Sequence, residues 1–193
     1  MPADQRRLQL FEVAREKFSE QGFHSTSMDE IAEAAGVTKP VLYQHFPSKR
    51  ALYVELLEDT GRELLTTLAD ATGRAGSGRE RVELGMRAYF DFATGHRSAF
   101  RLLFGTSLRS DDEFSRIVEE IIDAAAETIS TLIDLPGATE QRNVLAIALV
   151  GMAEAIGRHV VRSTAPVDGE QLAQWISEFA WFGLRGVRID PAD

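Results

Sequence analysis

The sequence predicts an all-α fold of nine helices in two domains, a small helix-turn-helix domain over residues 1–50 and a larger helical domain over 51–193. Three observations predict it. Apolar residues recur with helical spacing along most of the chain, with no convincing strand alternation and no internal repeat. Glycine and proline clusters punctuate that pattern at intervals suited to helix ends. Near the N-terminus two short helical patterns, Thr26 to Leu52 in all, are joined by only Gly36 and Val37.

The first of these short helices begins at about Ser27. Ser27-Met28-Asp29-Glu30 fits the capping-box rule, in which Ser27 caps and Glu30 reaches back to the cap amide. It runs through Ala35 and stops at Gly36, which takes the left-handed backbone of a sharp turn at little steric cost. Thr38 is the natural cap of the second, Pro40 is tolerated in its first turn, and Leu42 and Phe46 share one face. Lys39, Val41, Tyr43, Gln44 and His45 occupy the opposite face. Pro47 and Ser48 end this helix and cap the next, which carries Lys49, Arg50, Leu52, Leu56 and Leu57. Breaks then fall near Gly73 to Gly78, at Gly95 and His96, at Gly105 to Ser110, at Leu135-Pro136-Gly137 and at Pro166 to Gly169. They delimit helices near 51–72, 79–94, 97–104, 111–134, 139–164 and 169–187. Three earlier helices bring the count to nine.

Two amphipathic helices a turn apart also describe an ordinary αα-hairpin, so spacing alone does not decide. Residue types do. A helix that only packs seldom displays a cation, an aromatic hydroxyl, an amide and an imidazole together, with two cations at the next helix start; that set suits phosphates and base edges. The chain here resembles the DNA-binding domain of the TetR family of transcriptional regulators, and the match reaches back through RRLQLFEVAREKFSEQGFHSTS, Arg6 to Ser27. It carries the F-x-x-x-G-[FY] ending of a first helix at Phe18 to Phe23, then T-[ST]-x-x-x-I-A, then L-Y-x-H-F-x-[SN]-K. Phe11 is bulkier than the aliphatic residue often found at its position. By position in the family pattern, the resemblance implies base-edge contacts from Lys39, Pro40, Val41 and Gln44, and phosphate contacts from Thr26, Thr38, Tyr43, His45 and Lys49. Thr26 serves equally well as a local backbone cap.

Composition fits a two-domain protein that meets DNA. With 193 residues, 44% of them hydrophobic, the chain can bury a substantial core. Charges interrupt every apolar run well short of about 18 residues, so no stretch reads as a membrane span or signal peptide, and a cytoplasmic location is expected. With no cysteine, thiol redox sensing and Cys-ligated zinc are excluded. The net charge of -9 belongs to the larger domain: residues 1–50 hold seven basic residues (Arg6, Arg7, Arg15, Lys17, Lys39, Lys49, Arg50) and seven acidic ones (Asp4, Glu12, Glu16, Glu20, Asp29, Glu30, Glu33). A neutral domain, doubled in a dimer, binds DNA with strong salt dependence and little nonspecific affinity.

The larger domain offers two further candidate surfaces. Met86, Tyr89, Phe90, Phe92, Phe100, Leu103, Phe104, Phe114, Ile117 and Ile121 form an aromatic-rich set too large for one helix stripe. Taken singly each reads as core. Taken together they suggest an elongated apolar cavity for an apolar or amphipathic effector such as a fatty acyl compound, with His96, Arg97 and Arg101 near an acidic headgroup or simply solvated. On the last two helices, Ala146, Ala148, Gly151 and Ala155 allow close helix approach, and Trp175, Phe179, Trp181 and Phe182 supply large contact area or fill the subunit core. The resemblance implies a homodimer through a four-helix bundle of these helices. Such a dimer presents two recognition helices about one DNA turn apart to an inverted-repeat operator.

An enzyme is the rival class. His24, His45, His96 and His159 lie far apart in sequence, and no glycine-rich phosphate loop, nucleophile elbow or metal-ligand spacing accompanies them. No cofactor or metal is therefore expected. A regulator that answers to a protein partner, or to no effector, remains the alternative to a ligand sensor.

Overall fold

The computed structural model describes residues 3–105, 111–135, 138–163 and 167–186. Among them nine helices and no strand occur: α1 Ala3–Ser25, α2 Met28–Ala34, α3 Lys39–His45, α4 Lys49–Thr72, α5 Gly78–Gly95, α6 Arg97–Phe104, α7 Asp112–Leu132, α8 Thr139–Arg162 and α9 Gly169–Arg185. The all-α, nine-helix reading holds. The parts of the expected breaks at 106–110, 136–137 and 164–166, and the expected helix end at 187, lie outside the described residues.

The chain forms two compact units, Met1–Gly61 with Ser98–Val118, and Arg62–Arg97 with Glu119–Asp193. In the first, Leu10, Phe18, Ile31, Leu42, Phe46, Leu52, Tyr53, Leu56 and Leu57 are almost fully buried. Each such burial stabilises the fold by roughly 1.5–3 kcal/mol. Aromatic rings knit the unit together: Phe18 meets Tyr53 edge-on at 4.9 Å between centroids, and Phe114 lies 4.8 Å from Phe23 and 4.7 Å from Tyr53. Gly22, with φ 80 and ψ 167, kinks the end of α1 in a conformation open to glycine alone, which turns Phe23 back toward Phe18. Bulky Phe11 is accommodated by stacking on Phe46 at 6.1 Å.

In the second unit, α5 packs against α8 and α9. Ser77 caps α5 by accepting from the Glu80 amide, and Asp168 caps α9 by accepting from the amides of Glu170 and Gln171. Two arginines close helix C-termini: Arg81 donates to the Leu132 carbonyl at 3.2 Å and Arg97 to the Val160 carbonyl at 3.3 Å. The Ser130 hydroxyl and the Asn143 side-chain oxygen, 2.6 Å apart, join α7 to α8.

Helix α8 corrects one expectation. It contains an 18-residue window with no more than two charged residues, so by length and composition it is apolar enough to cross a membrane. Its two central charges, Glu154 and Arg158, pair with each other one turn apart. Apolar residues on two faces account for its composition: Ala146, Leu149, Ala153 and Val160 are buried within the unit, and Val144 and Ile147 are exposed.

Candidate nucleic-acid interface

The capping box of α2 forms as the spacing predicts. The Glu30 amide donates to Ser27 Oγ at 3.2 Å, and the Ser27 amide donates to Glu30 Oε2 at 2.7 Å. The Ser27 side-chain and backbone bonds hold the Glu30 carboxyl below the usual carboxylate range. At the other end Gly36, at φ 66, lets the Val37 amide donate to Ala32 O at 2.9 Å and the Gly36 amide to Glu33 O at 3.0 Å. This is a Schellman stop, and it sets the sharp turn into α3.

Thr38 takes the cap position of α3 with an extended backbone, but its side chain makes no cap bond. That corrects the expectation, and the reason is local. Pro40 has no amide to offer, and the Val41 amide already donates to Thr38 O at 3.0 Å. Leu42 and Phe46, both fully buried, anchor the helix. Thr38, Lys39, Pro40, Tyr43 and Gln44 are exposed, and Val41 and His45 are half-buried. The residues read as DNA contacts on α3 thus form one accessible surface, with a cation, a phenol and an amide within a seven-residue helix.

Three basic residues around α3 have partners that spacing did not foretell. Lys39 Nζ lies 2.9 Å from Asp29 of α2, and this carboxylate raises the ammonium above its ordinary pKa. Lys49 donates to the carbonyls of Phe23 and Thr26, each at 2.8 Å, and its ammonium sits 4.4 Å over the Phe23 ring. It ties the end of α1 to the start of α4. Arg50 bonds Asp111 at 2.5 Å and also Glu113, with its guanidinium 4.8 Å from the Phe114 ring. The Asp111 carboxyl is held low by Arg50, and Arg50 is pushed up by both acids. Thr26 is buried, and its hydroxyl donates to Gly22 O at 2.8 Å, the local backbone bond that the sequence left open beside a phosphate contact.

The residues read as an effector site divide between the two units. In the second, Met86, Tyr89 and Phe90 on α5 are buried, Ile121 is half-buried, and burial pushes the Tyr89 phenol up. His96 and Arg97 are exposed there, with His96 stacked on Phe92 at 5.2 Å and 3.7 Å from Glu63. In the first, Phe100 and Ile117 are buried, Phe104 is half-buried with its ring 4.6 Å from Phe100, and Arg101 is exposed. No cluster of potential metal ligands occurs among the described residues.

Of the residues read as a dimer surface, Trp175, Phe179 and Phe182 on α9 are 59%, 70% and 66% exposed, and Gly151 and Ala155 on α8 are exposed too. Trp181 is half-buried instead, its ring meeting Gly78 within the second unit, and Ala146 is fully buried. Val144 and Ile147, each 60% exposed, join Gly151 and Ala155 on the outward stripe of α8. The small residues of α8 do not point to Val144 and Ile147, but their spacing to Gly151 does.

Comparison with known proteins places this geometry among bacterial regulators. Residues 10–56 match the model of bacterial regulatory proteins of the tetR family, and residues 79–183 match the tetracyclin repressor-like C-terminal domain. The chain is 32% identical over 191 residues to the HTH-type transcriptional activator FasR of Mycolicibacterium smegmatis, covering 98% of this chain and 87% of that protein. A TetR-like transcriptional regulator from Rhodococcus sp. RHA1 superposes with a TM-score of 0.81 at 29% identity, over 97% of this chain and all of that one. The Bacillus subtilis regulator FadR, in complex with stearoyl-CoA, shares the fold with a TM-score of 0.76 at 16% identity, over 94% of this chain and 99% of the other.

Proposed function

The chain belongs to the TetR family of bacterial regulatory proteins, and from that premise we propose that it is a ligand-responsive repressor, which binds an inverted-repeat operator as a homodimer in the cytoplasm. One observation carries this reading: α3 buries Leu42 and Phe46 while leaving Lys39, Pro40, Tyr43 and Gln44 exposed together behind a tight Gly36 turn. A helix held by two apolar anchors and otherwise accessible is suited to lie in a major groove. Lys39, Pro40, Val41 and Gln44 read base edges on this proposal, and Thr38, Tyr43 and His45 lie toward phosphates. Lys49 and Thr26 act there by fixing the end of α1 through the carbonyls they engage.

Dimerisation is supported by the outward apolar faces of α8 and α9. Trp175, Phe179 and Phe182 in water are unfavourable, and a second copy of the same two helices would cover them in a four-helix bundle. The effector domain, on this reading, takes an apolar or amphipathic molecule such as a fatty acyl compound; the buried aromatic set of α5 and the acyl-CoA held by the Bacillus FadR support that class. Ligand acts by population shift, packing better in the state whose recognition helices are misplaced for successive grooves. A second reading, activation, is favoured by the activator name of the Mycolicibacterium relative. It needs only the opposite ligand preference.

The test is selection of bound fragments from the source genome at moderate salt, wild type against Tyr43→Ala. Wild-type recovery of an inverted repeat that Tyr43→Ala loses is the expected result; recovery of no fragment above background in the presence and absence of acyl thioesters would overturn it.

A further inference from the structure

The ion pair between Asp29 and Lys39 joins the first turn of α2 to the first residue of α3 at 2.9 Å, and both side chains are exposed, 66% and 52%. Both ends stand on fixed backbone. The Ser27–Glu30 capping box sets the turn that carries Asp29 and commits the Glu30 carboxylate to Ser27, while Pro40 fixes the turn that carries Lys39. A carboxylate on the face that meets a polyanion is unfavourable unless it has a task. The first 50 residues, with seven basic and seven acidic side chains, have no surplus of cations to offset it.

We propose that Asp29 is a positioning residue for sequence reading: its carboxylate holds the Lys39 ammonium toward base edges and keeps it from serving as a general phosphate contact. An ammonium has three N–H donors. One can stay on Asp29 while another donates to a guanine O6 or N7 in the major groove, so a base contact keeps the pair. A phosphate contact is opposed instead, because the anionic phosphate meets the Asp29 carboxylate beside the ammonium, whereas an uncharged base edge does not. The pair also carries no net charge, so Lys39 releases no counterion from nonspecific DNA while Asp29 is present. Asp29 therefore weakens binding to the wrong sequence more than to the right one. This inference rests on the proposed DNA-reading role of α3.

The experiment measures affinity over a salt series for two duplexes of equal length, the selected operator and its scrambled sequence. Wild type, Asp29→Asn, Asp29→Glu, Lys39→Gln and the Asp29→Asn/Lys39→Gln double variant are compared. Asp29→Asn should bind the scrambled duplex up to about fivefold more tightly, the size of an exposed ion pair, and its log–log salt slope there should steepen by about one ion. Discrimination should fall by the same factor, Asp29→Glu should retain it, and the double variant should match Lys39→Gln alone. An Asp29→Asn protein with unchanged ratio and slope, beside a wild type that does select the operator, overturns the inference. A wild type that prefers no duplex overturns the reading beneath it instead.

Discussion

Lys49 shows how a residue's chemistry can be legible while its partner is not. A lysine at a helix start beside a DNA-reading helix suggests a phosphate contact, yet its ammonium is already bonded to the carbonyls of Phe23 and Thr26 and stacked on Phe23. Lys49→Met should therefore destabilise the fold, by about 1–2 kcal/mol for the lost charge-assisted bonds, and weaken operator binding in proportion to the loss of folded protein at a given temperature. Urea unfolding and operator affinity measured on the same preparation check this; unchanged stability with lost affinity would instead make Lys49 a direct contact. Tyr43 and Gln44 are exposed beside one another, and the proposed reading assigns them two kinds of contact. Tyr43→Ala should weaken binding to every sequence, whereas Gln44→Ala should also relax preference at one base pair, by roughly 1–3 kcal/mol. Equal loss of selectivity from both changes would contradict that division.

The short helix α2 depends on its two ends, because seven residues make too few turns to be stable alone. At Gly36, φ is +66 and an added β-carbon would meet nothing within 4 Å, so the cost of a side chain there is purely conformational. Gly36→Ala should cost roughly 1–2 kcal/mol, and Gly36→Asn less, since asparagine tolerates the left-handed region. Urea midpoints for the two variants rank them. Acid offers a second probe of local ends. The carboxyls of Glu30 and Asp111 are both depressed, by Ser27 and by Arg50 respectively. Depressed carboxyls contribute stability that is fully present above the unfolded range near pH ~4 and is lost as pH falls through the folded values. Asp111→Asn should flatten the fall in urea midpoint below about pH 4; a profile parallel to wild type down to acid unfolding would show that the Arg50 pair adds nothing.

At the scale of the molecule, the exposed apolar faces of α8 and α9 carry the proposed assembly. Phe179, at 70% exposure, is the large side chain with least cover on α9. Phe179→Glu should leave the monomer folded, since it removes no internal contact that burial would reveal, but should break the proposed dimer by placing a charge in its seam. Sedimentation should then find a monomer at micromolar concentration, and operator affinity should fall together with dimerisation. A dimer that survives the change would move the interface elsewhere. The same outward stripe on α8 accounts for its membrane-span composition: the exposed Val144 and Ile147 are as apolar as the residues that face the core.

What the sequence determined by itself is local. The Ser27–Glu30 box, the Gly36 stop, the Leu42 and Phe46 anchors and the ends of most helices depend on neighbours within about four positions, and backbone sterics leave them few alternatives. Even the failed cap at Thr38 is a local matter, legible in principle from Pro40. Tertiary structure decided where charges and large rings go. Arg50 finds Asp111 and Glu113 at separations of 61 and 63 residues, and Lys49 finds carbonyls 23 and 26 residues away. Lys39 meets Asp29 only because the Gly36 turn returns α3 alongside α2. Trp181 turns inward onto Gly78 while Phe179 and Phe182 turn outward, though all three look alike in sequence. Long cationic side chains and aromatic rings settle on whatever acceptor or surface the fold brings within reach, and that is fixed by how elements distant in sequence pack, not by the residues beside them.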